Sequence, residues 1–387
     1  MIKVPYFTRF AVVFSAMGAS ALAASAILTA CSGGQILPPP LPDGGGGGAG
    51  GGGATTSEAA TTDSSSSASG TGGGGGTGGA TPAVATWVAK LDANKFELPE
   101  GLAMNAAGDT AYVGIAPTGQ VLKIKVADGT VSPFSSVPAP PPGNKGFVLG
   151  VQTDKAGDFY VGVASLDSVA YQAGIYKIPA AGGVATLFAK DPTMTFPNGL
   201  VFDSKGVLFV TDSISGSIFQ ITAAGVVTKW LTDPLITGNT MAKCASGLPF
   251  PLGANGIVIS GTDFYVTNTD KASMAKIAIK ADGTAGAVTD FVATDCMSFG
   301  GPDGLSVDAD GTFLVASNGI NSITRVDKNG KVTLVIAKTV AAPLDSPAST
   351  WIVNAGKAGS TLFFTNSGIA TFKAGGMPKP GLFKLAL

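Results

Sequence analysis

Four oxygen-bearing side chains, Glu100, Asn198, Asn255 and Asp303, each stand immediately before a glycine and then an aliphatic residue. Two carboxylates and two amide oxygens form an all-oxygen donor set. Such a set suits a hard cation, Ca2+ more than Mg2+, with other divalent ions possible and with water or substrate in the remaining positions. The chemistry requires the four residues to meet, although they are spread along most of the chain. With no histidine anywhere in its 387 residues, the protein cannot build a His-dependent triad, a His-ligated zinc site or a His acid/base pair.

The elements that must bring the four together are visible as a repeat. Pro197 to Ser213, PNGLVFDSKGVLFVTDS, reads as a turn, a strand, a tight Gly turn and a second strand, because β-branched and aromatic residues alternate on either side of Asp203-Ser204-Lys205-Gly206. Pro302 to Asn318, PDGLSVDADGTFLVASN, matches it nearly position for position, and weaker copies begin at Pro99, Leu149 and Ala254. A period of about 50 residues denotes a repeat architecture. First strands starting near Glu100, Leu149, Asn198, Asn255, Asp303 and Ser349 predict six units of four short strands. The fold class is therefore all-β, a six-bladed β-propeller, which protects its sheet edges by radial repetition. Val84 to Lys90, VATWVAK, nearly duplicates Val184 to Lys190, VATLFAK, the fourth strand of an internal repeat. The N-terminal strand is thus expected to complete the last blade, a closure that an open solenoid would leave unexplained. First strands line the channel of a propeller, so the residues before the glycines are expected at the axis, with Leu149 and, loosely, Ser349 completing the ring.

Composition divides the chain into 1–31, 32–83 and 84–387. Lys3 and Arg9 precede an apolar run that ends in Leu28-Thr29-Ala30-Cys31, which resembles a bacterial lipobox with Cys31 as the lipidated residue. Residues 32–83, rich in Gly, Ser and Thr, form no apolar face and read as a disordered tether with an r.m.s. span of roughly 40 Å. The expected location is extracytoplasmic, lipid-anchored to the bacterial membrane, with Ser32 pointing to the outer membrane. Charged residues are only 13% and the net charge is -1, so no basic surface is present for nucleic acid, and contact with the membrane is expected through the lipid anchor only.

At the four hub residues and across the repeat layout of 84–387, the chain resembles the SMP-30/gluconolactonase/luciferin-regenerating-enzyme family and the related diisopropyl-fluorophosphatase-like and paraoxonase-like calcium propellers. The resemblance implies a catalytic Ca2+ held by Glu100, Asn198, Asn255 and Asp303. It also implies hydrolysis of a lactone or another ester, with Asp303 as general base or nucleophile. The alternative is a non-enzymatic NHL-like surface propeller that binds a protein or glycan, with any metal structural; a different hydrolytic or synthetic chemistry, as in strictosidine-synthase-like propellers, is a third possibility. Asp212-Ser213, Asn268-Thr269, Ser317-Asn318 and Asn366-Ser367, at the ends of the second strands, read mainly as structural caps. Asp154, Asp203 and Asp308 read as turn residues. Phe196, Phe250 and Phe299, on loops leading to the hub, are candidates for an apolar substrate pocket. Cys244 and Cys296 lie in consecutive blade connections, and oxidising surroundings predict a disulfide between them.

Overall fold

The computed structural model describes residues 84–138, 146–167, 169, 171–340 and 342–387. The expected signal segment with Cys31, and the linker 32–83, lie outside the described residues.

Alternating β-branched and aromatic residues, punctuated by Gly turns, fold as expected into six sheets. The third blade is representative. Its strands Pro197–Phe202, Leu208–Asp212, Ser217–Ile221 and Val227–Thr232 pair antiparallel in sequence order. Between the first two, Asp203 Oδ1 accepts the N–H groups of Lys205 and Val207, each at 2.8 Å. Gly206, at φ 84°, supplies the left-handed residue that this turn requires. Leu208–Asp212 is wholly buried because it lies inside its sheet with other blades against both faces, whereas Val227–Thr232, at the outer rim, has three half-buried and three exposed residues.

The other blades follow the same order, opening with Pro99–Met104, Gly146–Thr153, Ala254–Ser260, Pro302–Val307 and Pro347–Val353. Blade contacts repeat as well: the ring centroids of Tyr112 and Phe159 lie 4.3 Å apart, those of Phe209 and Phe264 4.7 Å, and those of Tyr265 and Phe313 4.5 Å, each pair joining one blade to the next. Closure is the one expected. Thr86–Lys90 pairs with Gly381–Ala386 in the sixth sheet, and Trp87 stacks on Phe383 at 3.9 Å.

Two details depart from four uniform strands per blade. The segment expected as one strand at Val184 to Lys190 divides at Ala185. Its first part, Gly183–Val184, adds parallel to the rim strand Val131–Ser136 of the first blade, while Thr186–Ala189 completes the second. The short addition covers an edge that would otherwise present unpaired backbone groups. The sixth blade also carries a short helix, Ile369–Lys373, before its third strand.

Candidate metal centre

All six first strands carry a one-residue register shift at the same place. Pairing jumps from Pro99 to Leu102, Val148 to Val151, Pro197 to Leu200, Ala254 to Ile257, Pro302 to Leu305 and Pro347 to Thr350. Each shift is a β-bulge containing the hub residue and the one after it, and a bulge re-aims side chains from the regular alternation of a strand. The glycine in the bulge is needed for space and has no left-handed φ to supply. A Cβ on Gly256 would lie 2.5 Å from Asp303 O, and one on Gly304 2.7 Å from Ala348 O; Gly101, Gly150 and Gly199 face the carbonyls of Leu149, Asn198 and Asn255 in the same way. The inner strands therefore approach each other more closely than any side chain permits. This register corrects one expectation: the sixth hub position belongs to Ala348, and Ser349 occupies the place that glycine holds in the other blades.

Threonines lock this inner ring. Thr267 Oγ1 accepts Gly256 N–H at 2.8 Å and donates to Asp303 O of the next blade at 2.8 Å. Thr211 joins Gly199 to Asn255 O in the same manner. Thr365 joins Ser349 to Glu100 O, 2.8 Å away across the closure. The backbones of Glu100, Asn255 and Asp303 are thus held independently of their side chains.

The side chains are oriented one layer further out. Ser213 Oγ donates its hydrogen to Ala254 O at 2.8 Å and receives Asn198 Nδ2 at 3.2 Å. Thr269 Oγ1 donates to Pro302 O at 3.0 Å and receives Asn255 Nδ2 at 2.9 Å. A hydroxyl has one hydrogen, and in both cases a carbonyl takes it. The Asn must therefore present its NH2 to the hydroxyl, which leaves Oδ1 for the interior. In the fifth blade Asn318 Nδ2 donates to Asp303 Oδ2 at 3.3 Å.

The four hub residues, Glu100, Asn198, Asn255 and Asp303, border one cavity of about 270 Å3, lined further along the same strands by Leu200, Val258, Val307 and Trp351 among others. The four hub residues are 1–4% exposed. Burial pushes the Glu100 carboxyl up from 4.5 to about 7. A cation beside the carboxyl would offset this cost of burial. The donor chemistry fits a hard cation, with two carboxylates and two amide oxygens fixed in orientation. Among the described residues no three His, Cys, Asp or Glu side chains form a metal cluster, because half of this donor set is amide.

Leu149, expected at the axis, packs with Phe147, Phe196, Leu248 and Leu252, and the cavity wall of the second blade is formed instead by Gly150, Val151 and Gln152. The phenylalanine expectation needs correction too. Phe299 is fully buried against Met274, Leu305 and Phe313, Phe196 and Phe250 pack in the Leu149 cluster, and none of the three lines the cavity. The second-strand ends divide in two. Asp212 accepts the N–H groups of Thr195, Phe196 and Ser215, and Asn268 and Asn366 bond loop backbone, so these three are structural. The residues one place later, Ser213, Thr269 and Asn318, serve the hub. The signal was present in VTDS, VTNT and VASN, where the blade with Asp at the hub has Asn at this place and the blades with Asn have a hydroxyl. Cys244 and Cys296 form a disulfide with Cα atoms 5.3 Å apart, joining the connections that lead to Asn255 and Asp303.

Residues 247–368 match the SMP-30/gluconolactonase/LRE-like family model. The segment includes Asn255, Asp303 and Asn318 but not Glu100 or Asn198. No curated protein sequence matches the chain. Among solved structures, a calcium-binding protein, regucalcin, from Agrobacterium tumefaciens is similar with TM-score 0.54 and 19% identity over 77% of this chain and 93% of its own. A luciferin-regenerating enzyme gives TM-score 0.56 and 14% identity over 79% and 95%. A protein assigned as a gluconolactonase gives 0.55 and 15% over 79% and 92%. At these identities the likeness establishes a shared propeller fold.

Proposed function

We propose that the protein is a divalent-cation-dependent hydrolase, with calcium the favoured ion, acting on a small lactone or another ester. The observation that carries this reading is the convergence on one cavity of two carboxylates and two amide oxygens whose orientation is imposed by Ser213 and Thr269. The family model over 247–368 and the regucalcin and gluconolactonase relatives support it. Glu100, Asn198, Asn255 and Asp303 would hold the ion, which when bound polarises the substrate carbonyl oxygen. Asp303 acts as general base: its carboxylate takes a proton from the attacking water and returns it to the departing alkoxide, so that ester and water become acid and alcohol. The apolar walls from Leu200, Val258 and Val307 limit bulk water beside the reacting groups. A cavity of about 270 Å3 suits a small molecule and not a polymer. We also propose that the enzyme is exported and held to the outer membrane through lipid on Cys31.

Calcium calorimetry on wild type, Glu100→Gln and Asp303→Asn, followed by a lactone and aryl-ester panel, tests the first proposal. Calcium binding lost in both variants, with calcium-dependent turnover in wild type, is expected. Absence of calcium binding in wild type would refute the reading, and binding without turnover would favour the scaffold alternative. For location, Cys31→Ser should move the protein from the membrane fraction to the soluble one.

A further inference from the structure

We propose that Asn318 is a positioning residue of the hub: Nδ2 holds the Asp303 carboxylate, and Oδ1 receives the hydrogen of a bound water. The inference rests on the divalent-cation reading above. It starts from a reversal of donors and acceptors between blades. In the third and fourth blades the hub residue is an amide that donates, and the residue behind it is a hydroxyl that accepts. In the fifth blade the hub residue is a carboxylate with no hydrogen to give, and the residue behind it is Asn318, whose Nδ2 donates to Asp303 Oδ2 at 3.3 Å. The exchange preserves the pairing while changing which side supplies the hydrogen.

The exchange leaves a remainder. Ser213 and Thr269 spend their hydrogens on Ala254 O and Pro302 O, so each hydroxyl is satisfied on both sides. Asn318 is 1% exposed, and its Oδ1 has no hydrogen-bond partner among the described residues. Buried acceptors without partners are uncommon in native proteins, and a partner for this one must bring a hydrogen. Asn318 stands one layer behind Asp303, in the place of Ser213 and Thr269, so it acts through Asp303 and is not one of the four donors to the ion. A water held at Asn318 Oδ1 serves the hub by fixing the Asn318 amide, and through it the Asp303 carboxylate, in one orientation.

The test uses two variants of the full-length protein. Asn318→Thr installs the residue that the fourth blade has at this place, keeping a hydrogen for Asp303 and deleting Oδ1; Asn318→Leu deletes both functions. Melting in the presence of a chelator reads the metal-free fold, and calorimetry with CaCl2 reads the hub. The expected result is a metal-free Tm for Asn318→Thr within a few degrees of wild type. Its calcium Kd should rise by about 10–100-fold, as for losses behind metal ligands generally, and that of Asn318→Leu by at least as much. Wild-type affinity in Asn318→Thr would overturn the role of Oδ1. Metal-free Tm and affinity falling together in both variants would show Asn318 to be a structural residue and overturn the proposal. Failure of the wild-type titration would instead refute the cation reading itself, so the two failures are distinguishable.

Discussion

Replacing Glu100 by Gln should stabilise the metal-free protein at alkaline pH and have almost no effect at acid pH. Burial raises the Glu100 carboxyl from 4.5 to about 7, so the folded state binds its proton more tightly than the unfolded state does. Below pH 4.5 both states are protonated and the favourable linkage is fully present. Between 4.5 and 7 the unfolded chain has released a proton that the folded chain retains, and stability falls as pH rises. Above 7 the loss is complete. At about 1.36 kcal/mol for each pH unit, the interval from 4.5 to about 7 corresponds to a loss of roughly 3 kcal/mol. The Gln side chain has the same shape and no charge, so its stability should lack this decline. Asp212, whose carboxyl burial also raises, is present in both proteins and cancels in the difference between them. Urea unfolding with a chelator at pH 5 and pH 8.5 measures the effect. Parallel pH dependences for wild type and Glu100→Gln would show that Glu100 is not held protonated and would refute the reasoning. Saturating calcium should remove the wild-type decline, because a bound cation replaces the proton.

Other outcomes follow from the geometry of the inner ring and its rim. Gly256→Ala would place a Cβ 2.5 Å from Asp303 O, a backbone atom that cannot swing aside; the expected cost is about 1–3 kcal/mol, together with weaker calcium binding, and chelated melting plus calorimetry would reveal an unstrained Ala by leaving both unchanged. Reduction of Cys244–Cys296 frees a loop with sequence separation 52, and chain entropy alone predicts a loss of about 4 kcal/mol as an upper figure, read from melting with and without reductant. Asp303→Asn should abolish turnover on any substrate found, and retained turnover would remove Asp303 from the role of base.

What the sequence made legible was the part of the design that repeats. Recurring Asp-x-x-Gly turns and strand patterns dictated the blade count, and the VATWVAK copy at Val84 dictated closure, because each rests on local backbone preference and a shared period. Glu100, Asn198, Asn255 and Asp303 could be placed on one cavity for the same reason: equal positions in a rotational repeat must face one axis. Positions that depend on packing between blades were not legible. The shift from Ser349 to Ala348 follows from the Pro347 to Asn366 pairing, which motif comparison cannot see in a blade without a Gly after its hub residue. The phenylalanines near the hub are apolar loop residues in the sequence, and only the presence of Leu149, Leu248 and Leu252 beside Phe196 and Phe250 decides that they pack there and leave the cavity to others.

The glycines changed meaning most. In the sequence the hub glycines belong to turn-and-strand repeats; in the fold each sits against a neighbouring strand's carbonyl, and at Gly199 and Gly256 that carbonyl is held by a threonine hydroxyl. That close approach constrains the backbone of the preceding residue and leaves its side chain unconstrained. Propeller packing alone therefore does not require Glu, Asn, Asn and Asp at the hub, as Leu149 and Ala348 demonstrate by occupying two equivalent bulges. A fold that accepts Leu and Ala at these positions has no structural need to bury two carboxylates on one cavity, and burying them carries a cost that Glu100 registers in its raised pKa. Three of the four blades that hold the polar hub residues also supply the side chains that orient them, Ser213, Thr269 and Asn318, each with hydrogen-bonding sense matched to its partner. A cost accepted in the hub and a matched supporting layer behind it are what a binding site requires and what a structural bulge does not.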